Sequence, residues 1–178
     1  GCAILWKLAS SSLLNLSTSQ GTKICKTNLL SIGHAAIMYH QEFAIYPERV
    51  IFGKDGQPEH SWRAVLSRYL PTTDYADYSF LEPWDGPNNR RLHLSQTKSK
   101  AYHCPKDPGP VFNTSYVAVF GDRTVFPEKE AVRHNEIGGT SFSETEEHIS
   151  IIKGKSNTIF SVEFHNSGIN ILEPQDLS

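Results

Sequence analysis

Residue types able to do chemistry are present in this chain, but few stand at the spacings that chemistry needs. The three cysteines are Cys2, Cys25 and Cys104. None belongs to a CxxC pair, so neither a zinc site nor a thioredoxin-type dithiol has a motif to rest on. The histidines His34, His40, His60, His93, His103, His134, His148 and His165 are scattered along the chain. His34 and His40 fall on different faces of any helix that holds both, and there is no HExxH or CxxCH. We read these histidines as scattered and partly exposed. No GxSxG elbow, P-loop or GxGxxG occurs.

Oxygen ligands concentrate in EPWDGPNN, from Glu82 to Asn89. Calcium takes about six to eight oxygens from carboxylates, amides and carbonyls. Glu82, Asp85, Asn88 and Asn89 are therefore a weak calcium candidate, without the regular ligand spacing of an EF-hand. The same residues are ordinary turn and cap formers. Glu82 and Asp85 could do acid–base work, but so could any acidic loop pair. Cys25 sits on a packed helical stripe, a poor place for a nucleophile, which needs exposure and a lowered pKa. Asn15-Leu16-Ser17 and Asn113-Thr114-Ser115 match a glycosylation sequon that chance supplies often. No catalytic residue is assigned, no enzyme activity is expected, and no cofactor is expected beyond the calcium candidate.

The element that must position everything else is ICKTNLLSIGHAAIMYHQEF, from Ile24 to Phe43. Cys25, Leu29, Ile32, Ala36, Tyr39 and Phe43 recur at helical spacing and form one stripe. Leu30 and Ile37 are expected to widen that apolar side. A helix of this kind must lie against something large, most simply a sheet. Ahead of it, Leu5, Leu8, Leu13 and Leu16 keep a loose helical rhythm, with Gly21 as a weak point. The helix should stop near Phe43, because Tyr46 precedes Pro47.

Further along, Arg49 to Phe52 reads as a short strand and Lys54 to Pro58 as a turn. HSWRAVLSRYL, from His60 to Leu70, is a second amphipathic helix, capped by Ser61 and ended by Pro71. Thr72 to Asn89 is an aromatic and acidic loop expected to be ordered, with Trp84 largely buried. Pro87 opens a short helix through Arg90, Arg91 and Leu94. Ala101 to Cys104 and Ser115 to Phe120 read as strands. Gly121 to Glu147 is a polar surface excursion. Asn157 to Phe164 is the clearest strand, Asn166 to Gly168 a hairpin turn, and Ile169 to Leu172 the returning strand. Helices first and antiparallel strands last predict an α+β fold.

The length suits one domain with an extension: residues 1–21 as an apolar, Ser-rich continuation of the helix, and 22–178 as the globular domain. The net charge of −2 leaves no basic patch suited to nucleic acid. AILWKLA, from Ala3 to Ala9, is too short to cross a bilayer, and no basic region precedes it as in a signal peptide. The chain starts abruptly, as a processed or truncated product would. From composition, Cys25 and Cys104 are either two buried thiols or a bond from helix to sheet.

Several stretches resemble a known family. CKTNLLSIGHAAIMYHQEFAIYP is similar to the C-x-NNL-x-QIG-x-A-x-x-x-YH opening of a large secreted pilin-like family. That family is abundant in planctomycetes and related to the major (G-type) pseudopilins of type II secretion. HSWRAVLSRYLP, EPWDGPNNRRL, YHCPKDPG, TSYVAVFG and GKSNTIFSVEFHNSGINILEPQDLS match its later blocks in order. The resemblance covers Ile24 to Ser178. It implies a long N-terminal helix packed on an antiparallel sheet with long loops, and export to the cell surface or beyond. It carries no catalytic residues. A prepilin leader and the apolar segment that follows it are replaced here by GCAILWKL. With export implied, the placement of Cys25 and Cys104 at the helix–sheet boundary predicts that they are bonded.

Three functions are weighed on this basis. The first is a non-enzymatic, pilin-like structural subunit, a homo-oligomer or filament, with envelope or secretion-system proteins as further partners. Leu5, Trp6, Leu8, Leu13 and Leu16 would supply its assembly surface. Membrane anchoring is expected only through the N-terminus. The second is a secreted binding module for glycan or calcium, using the loop from Thr72 to Asn89. The third is a hydrolase.

Overall fold

The computed structural model describes residues 2–70, 77–93, 100–121, 124–126 and 159–177, and the side chains of the first helix from Ser19 onward. That helix, α1, runs Cys2–Phe43. Its 42 residues correspond to about 63 Å of helix. Cys25, Asn28, Ile32, Ala35 and Ala36 are buried, and Leu29 and Tyr39 pack beside them. This is the stripe that the periodicity picks out. The small Ala35 and Ala36 on this face allow the neighbouring elements to come close. The helix ends as expected at Phe43. Ala44 takes a left-handed φ of 60° and its N–H donates to the His40 carbonyl.

The apolar side is narrower than expected. Leu30 is 74% exposed and Ile37 46%. Among the described residues, what α1 packs on is not one broad sheet but two small ones, and they cover only one side of it. The first sheet pairs β1 (Val50–Phe52) antiparallel with β2 (Pro58–Ser61). The second pairs β3 (Tyr116–Ala118) with β4 (Ser161–Glu163). The architecture is α+β, a long helix against antiparallel strands with long loops between them.

β2 has no counterpart among the expected elements. Its first residue is a proline, which strands accept at an edge. Directly after it, α2 (Trp62–Leu66) continues into a 3-10 turn, Ser67–Tyr69. Ser61 caps α2, its hydroxyl accepting from the Ala64 N–H. Every residue of α2 is buried, so it is no surface amphipath. Trp62 meets Tyr102, Phe126 and Phe160 at ring distances of 6.0, 6.0 and 5.3 Å. Phe126 thus belongs to the core, although it lies in a stretch expected to be surface excursion. The rest of that stretch, apart from Gly121, Thr124 and Val125, is outside the described residues.

Ala101 to Cys104 is not a strand. Its polar backbone groups are served by Ser115: the Ser115 N–H donates to Tyr102 O, and the Cys104 N–H donates to the Ser115 hydroxyl. One residue, through its N–H and its hydroxyl, stands in for a ladder partner, and the chain turns at once, the Asp107 N–H donating to Cys104 O. Ile169 to Leu172 does not return along β4 either. Phe164 N–H donates to Ser115 O, Thr114 N–H to Ile169 O, and Ile171 N–H to Phe112 O. The chain therefore keeps its direction past one partner, and residues 165–168 are looped out of a single antiparallel run. Left-handed φ values at Asn166 (54°) and Gly168 (72°) make the loop-out, and Asp107 accepts the Asn166 N–H.

The deepest polar contact joins α2 to the 169–177 segment. Arg63 and Asp176 are fully buried and 2.7 Å apart. Arg63 Nε donates to Ile171 O, and Nη2 donates to Glu173 O and Gln175 O. Asp176 also accepts from the Trp62 indole N–H and the Ala118 N–H. Removing one partner of a buried pair strands the other charge, at a cost of about 3–5 kcal/mol. Asp176→Ala should lose that much in chemical denaturation. The double variant Arg63→Met with Asp176→Leu should recover most of it. Equal losses in both would show that packing, not the uncompensated charge, is what fails.

Candidate functional site

Three regions hold the residues with functional potential. The first is the junction between α1 and the 100–109 loop. A disulfide joins Cys25 and Cys104, with Cα atoms 5.0 Å apart and a sequence separation of 79. Chain entropy alone assigns such a loop about 4–5 kcal/mol. Asn28 Nδ2 donates to the carbonyls of Lys100 and His103, and the Tyr116 hydroxyl donates to the Cys25 carbonyl. The helix is thus pinned at two positions within one turn. Glu163 brings a carboxylate oxygen within 4.8 Å of both sulfurs. The sulfurs are committed to each other, so this trio is not a metal centre in the bonded form, and Cys25 offers no free thiol. Such a bond persists in oxidising surroundings, which points outside the cytoplasm.

The second region is the loop 77–93. Residues 72–76, including Tyr75, lie outside the described residues. Asn89, fully buried, is its centre: Oδ1 accepts from the Ser79 N–H, and Nδ2 donates to the carbonyls of Ser79, Glu82 and Pro83. Glu82 Oε1 accepts the N–H groups of Asn88 and Asn89, and Oε2 accepts from Asn88 Nδ2. Three of the calcium candidates, Glu82, Asn88 and Asn89, therefore hold the loop together, as cap and turn residues do. Asp85 is exposed and receives Arg90 Nε on its backbone carbonyl. The helix expected from Pro87 is a 3-10 turn, Asn89–Leu92, and Leu94 lies outside the described residues.

Trp84 is half-buried, less than expected. Its ring stacks on His93 at 4.7 Å, and its backbone N–H donates to Glu59 O. A shallow depression lined by Asp77, Ser79, Asn88, Arg91 and Leu92 lies beside the loop. At the tip, Leu81 is 99% exposed.

His60 ties this loop to β2. It is fully buried, where the histidines as a group are expected to be partly exposed, and its Nδ1 shares a 2.8 Å hydrogen bond with the Tyr78 hydroxyl. Burial pulls the imidazole down from its ordinary value to about 4, against the opposing pull of the Phe80 backbone carbonyl. Burial also raises the Tyr78 hydroxyl. The signal in the sequence was only that His60 precedes the Ser61 cap.

The third region is the open side of α1, where Leu30 and Ile37 stand one turn either side of Gly33. The side chains of Leu5, Trp6, Leu8, Leu13 and Leu16 lie outside the described residues. No helix among the described residues is long and apolar enough to cross a membrane.

Two measurements check the loop. Asn89→Ala strands buried carbonyls and an N–H, at about 1–3 kcal/mol for each group left unsatisfied. It should lower stability by at least that much, and a parent-like melting curve would mean the loop holds without it. The second concerns pH. The folded state keeps His60 neutral while the unfolded chain titrates near 6.5, so stability should fall as pH drops from about 6.5 to about 4. His60→Asn, which still offers Tyr78 an acceptor, should flatten the slope in that window. An unchanged slope would clear His60 of the effect.

Comparison with known proteins returns a single positive finding. No curated protein and no solved structure matches the chain. A family model described as a protein of unknown function (DUF1559) matches residues 24–168. That span takes in α1 from Ile24, both sheets, the disulfide and the 77–93 loop, and the chain therefore belongs to the DUF1559 family.

Proposed function

We propose that this protein is a non-enzymatic, exported structural subunit of pilin-like type, which associates with copies of itself at the cell surface or outside the cell. The observation that carries this reading is the two-sidedness of α1. One side is fastened to the domain by the disulfide, Asn28 and Tyr116, while the other leaves Leu30 and Ile37 in solvent. An apolar side chain held in water on a rigid helix is unfavourable in a monomer and is relieved by association. The pilin-like arrangement of helix and strands, with the family resemblance in the Cys25–Pro47 block, supports the kinship with pseudopilins. Export is supported by the disulfide.

The test is the state of association of the full chain and of a form lacking residues 1–21. The full chain should form multimers that sediment faster as concentration rises, and regular arrays in electron micrographs. The shortened form should stay folded, with its disulfide intact, but associate less. A full chain that remains monomeric at high concentration in detergent-free buffer would overturn the proposal.

A further inference from the structure

β1 and β2 do not pair evenly. Val50 faces Ser61 and Ile51 faces His60, but Phe52 faces Pro58, which leaves Glu59 as an extra residue between two pairs. In a regular strand, neighbours such as Glu59 and His60 point to opposite faces. A bulge re-aims a side chain. Here it brings Glu59 Oε2 to 3.9 Å from His60 Nε2. The Trp84 backbone N–H donates to the Glu59 carbonyl and anchors the bulge. The other carboxylate oxygen of Glu59 turns toward the 53–57 turn. A Cβ on Gly53 would collide with Glu59 Oε1 and press on Asp55 Oδ1, so both carboxylates gather over this glycine.

His60 supplies a second, independent observation. Its imidazole is fully buried, and Nε2 has no hydrogen-bond partner among the described residues. A buried polar atom left without a partner is costly. In the tautomer whose Nδ1 proton is donated to the Tyr78 oxygen, Nε2 turns a lone pair toward Glu59. Burial keeps the ring neutral around pH 7, and the neutral ring is the form that binds metals.

We propose that His60 Nε2, Glu59 and Asp55 form a binding site for a divalent transition-metal ion of the zinc type. One imidazole and two carboxylates suit zinc, with water on the solvent side completing a tetrahedral set. Ligand bonds of about 2.0–2.2 Å let one ion bridge His60 and Glu59. Asp55 is exposed on its turn and closes on the ion by rotating its side chain. Calcium prefers oxygen ligands and matches an imidazole poorly. Glu82 is committed to the N–H groups of Asn88 and Asn89 and stays outside the set. The ion would staple the 53–57 turn to the bulge and, through Tyr78, to the 77–93 loop. This inference is independent of whether the chain associates.

The test uses the full chain with its disulfide intact and Cys2 alkylated, stripped with EDTA and titrated with zinc by calorimetry. Glu59→Gln and Asp55→Asn are titrated beside it, with Asp85→Asn as the control. These side chains are exposed or half-exposed, so each variant should fold. The parent should bind one zinc ion and melt at a higher temperature with it. Glu59→Gln and Asp55→Asn should each weaken binding by at least about tenfold, and Asp85→Asn should not. Calcium at the same concentration should leave the melting temperature unchanged. In nitrogen NMR of the imidazoles, zinc should shift His60 Nε2. A parent that binds no zinc, or calcium equally well, overturns the proposal. So does zinc binding that survives Glu59→Gln, that leaves His60 Nε2 unmoved, or that depends on Asp85.

Discussion

The structure depends on a charge that cannot be left alone. Arg63 lies in the middle of the core, with aromatic rings around it and no solvent to answer its guanidinium. Its donors are met by three carbonyls and a carboxylate, all from the 169–177 segment. Asp176 in turn is met by Trp62 and by the backbone of β3. A buried pair of this kind adds little stability beyond that of an apolar core of the same shape, yet it rejects arrangements in which either partner is missing. Here it joins α2, β3 and the 169–177 segment through one shared set of hydrogen bonds. The rings of Trp62, Phe126 and Phe160 then pack against an element that is already placed.

That core gives α1 something to lie on, and the junction at Cys25 decides how. Three unlike constraints act within about one turn: a covalent bond, a side-chain amide reaching two carbonyls, and a tyrosine hydroxyl. Asp107, beside this junction, is subject to opposing effects. Burial would raise its pKa, but the Ser115 hydroxyl and the N–H groups of Gly109 and Asn166 hold it below its ordinary value. The carboxylate is therefore charged through the neutral range and keeps the 104–109 turn against the 165–168 loop-out. The helix is thus rotationally fixed, and which of its faces meets solvent is a property of the fold.

Local periodicity made the helix and its cap legible. Cys25, Ile32 and Ala36 announce a buried stripe by spacing alone, and Ser61 ahead of an apolar run announces a cap. The same signal misreads Leu30 and Ile37, because periodicity reports which residues are apolar and not how wide the opposing surface is. Asn89 and His60 look like any turn residue and any histidine; their burial follows from backbone groups brought near by the loop. Arg63 and Asp176 are separated by 113 residues, so no window on the sequence contains both. Asn166-Ser167-Gly168 is a turn signal and points to a hairpin return at Ile169 to Leu172. That signal fits a loop-out equally well, since both need left-handed backbone at the same positions.

The loop-out at residues 165–168 has a consequence for how this chain tolerates change in length. The antiparallel run before it, at Phe164 and Ser115, and the run after it, at Ile169 and Thr114, share one partner segment and need not shift when the intervening residues do. Extra residues placed between Asn166 and Gly168 would lengthen a surface protrusion without slipping a strand or turning a side chain from core to water. The same number inserted between Tyr116 and Ala118, in β3, would reverse or break the pairing with β4. The molecule thus carries, beside its most constrained junction, a position where sequence can be added without shifting register, at the cost of the Ser167 hydroxyl's contacts with the Thr114 carbonyl and the Ile169 N–H.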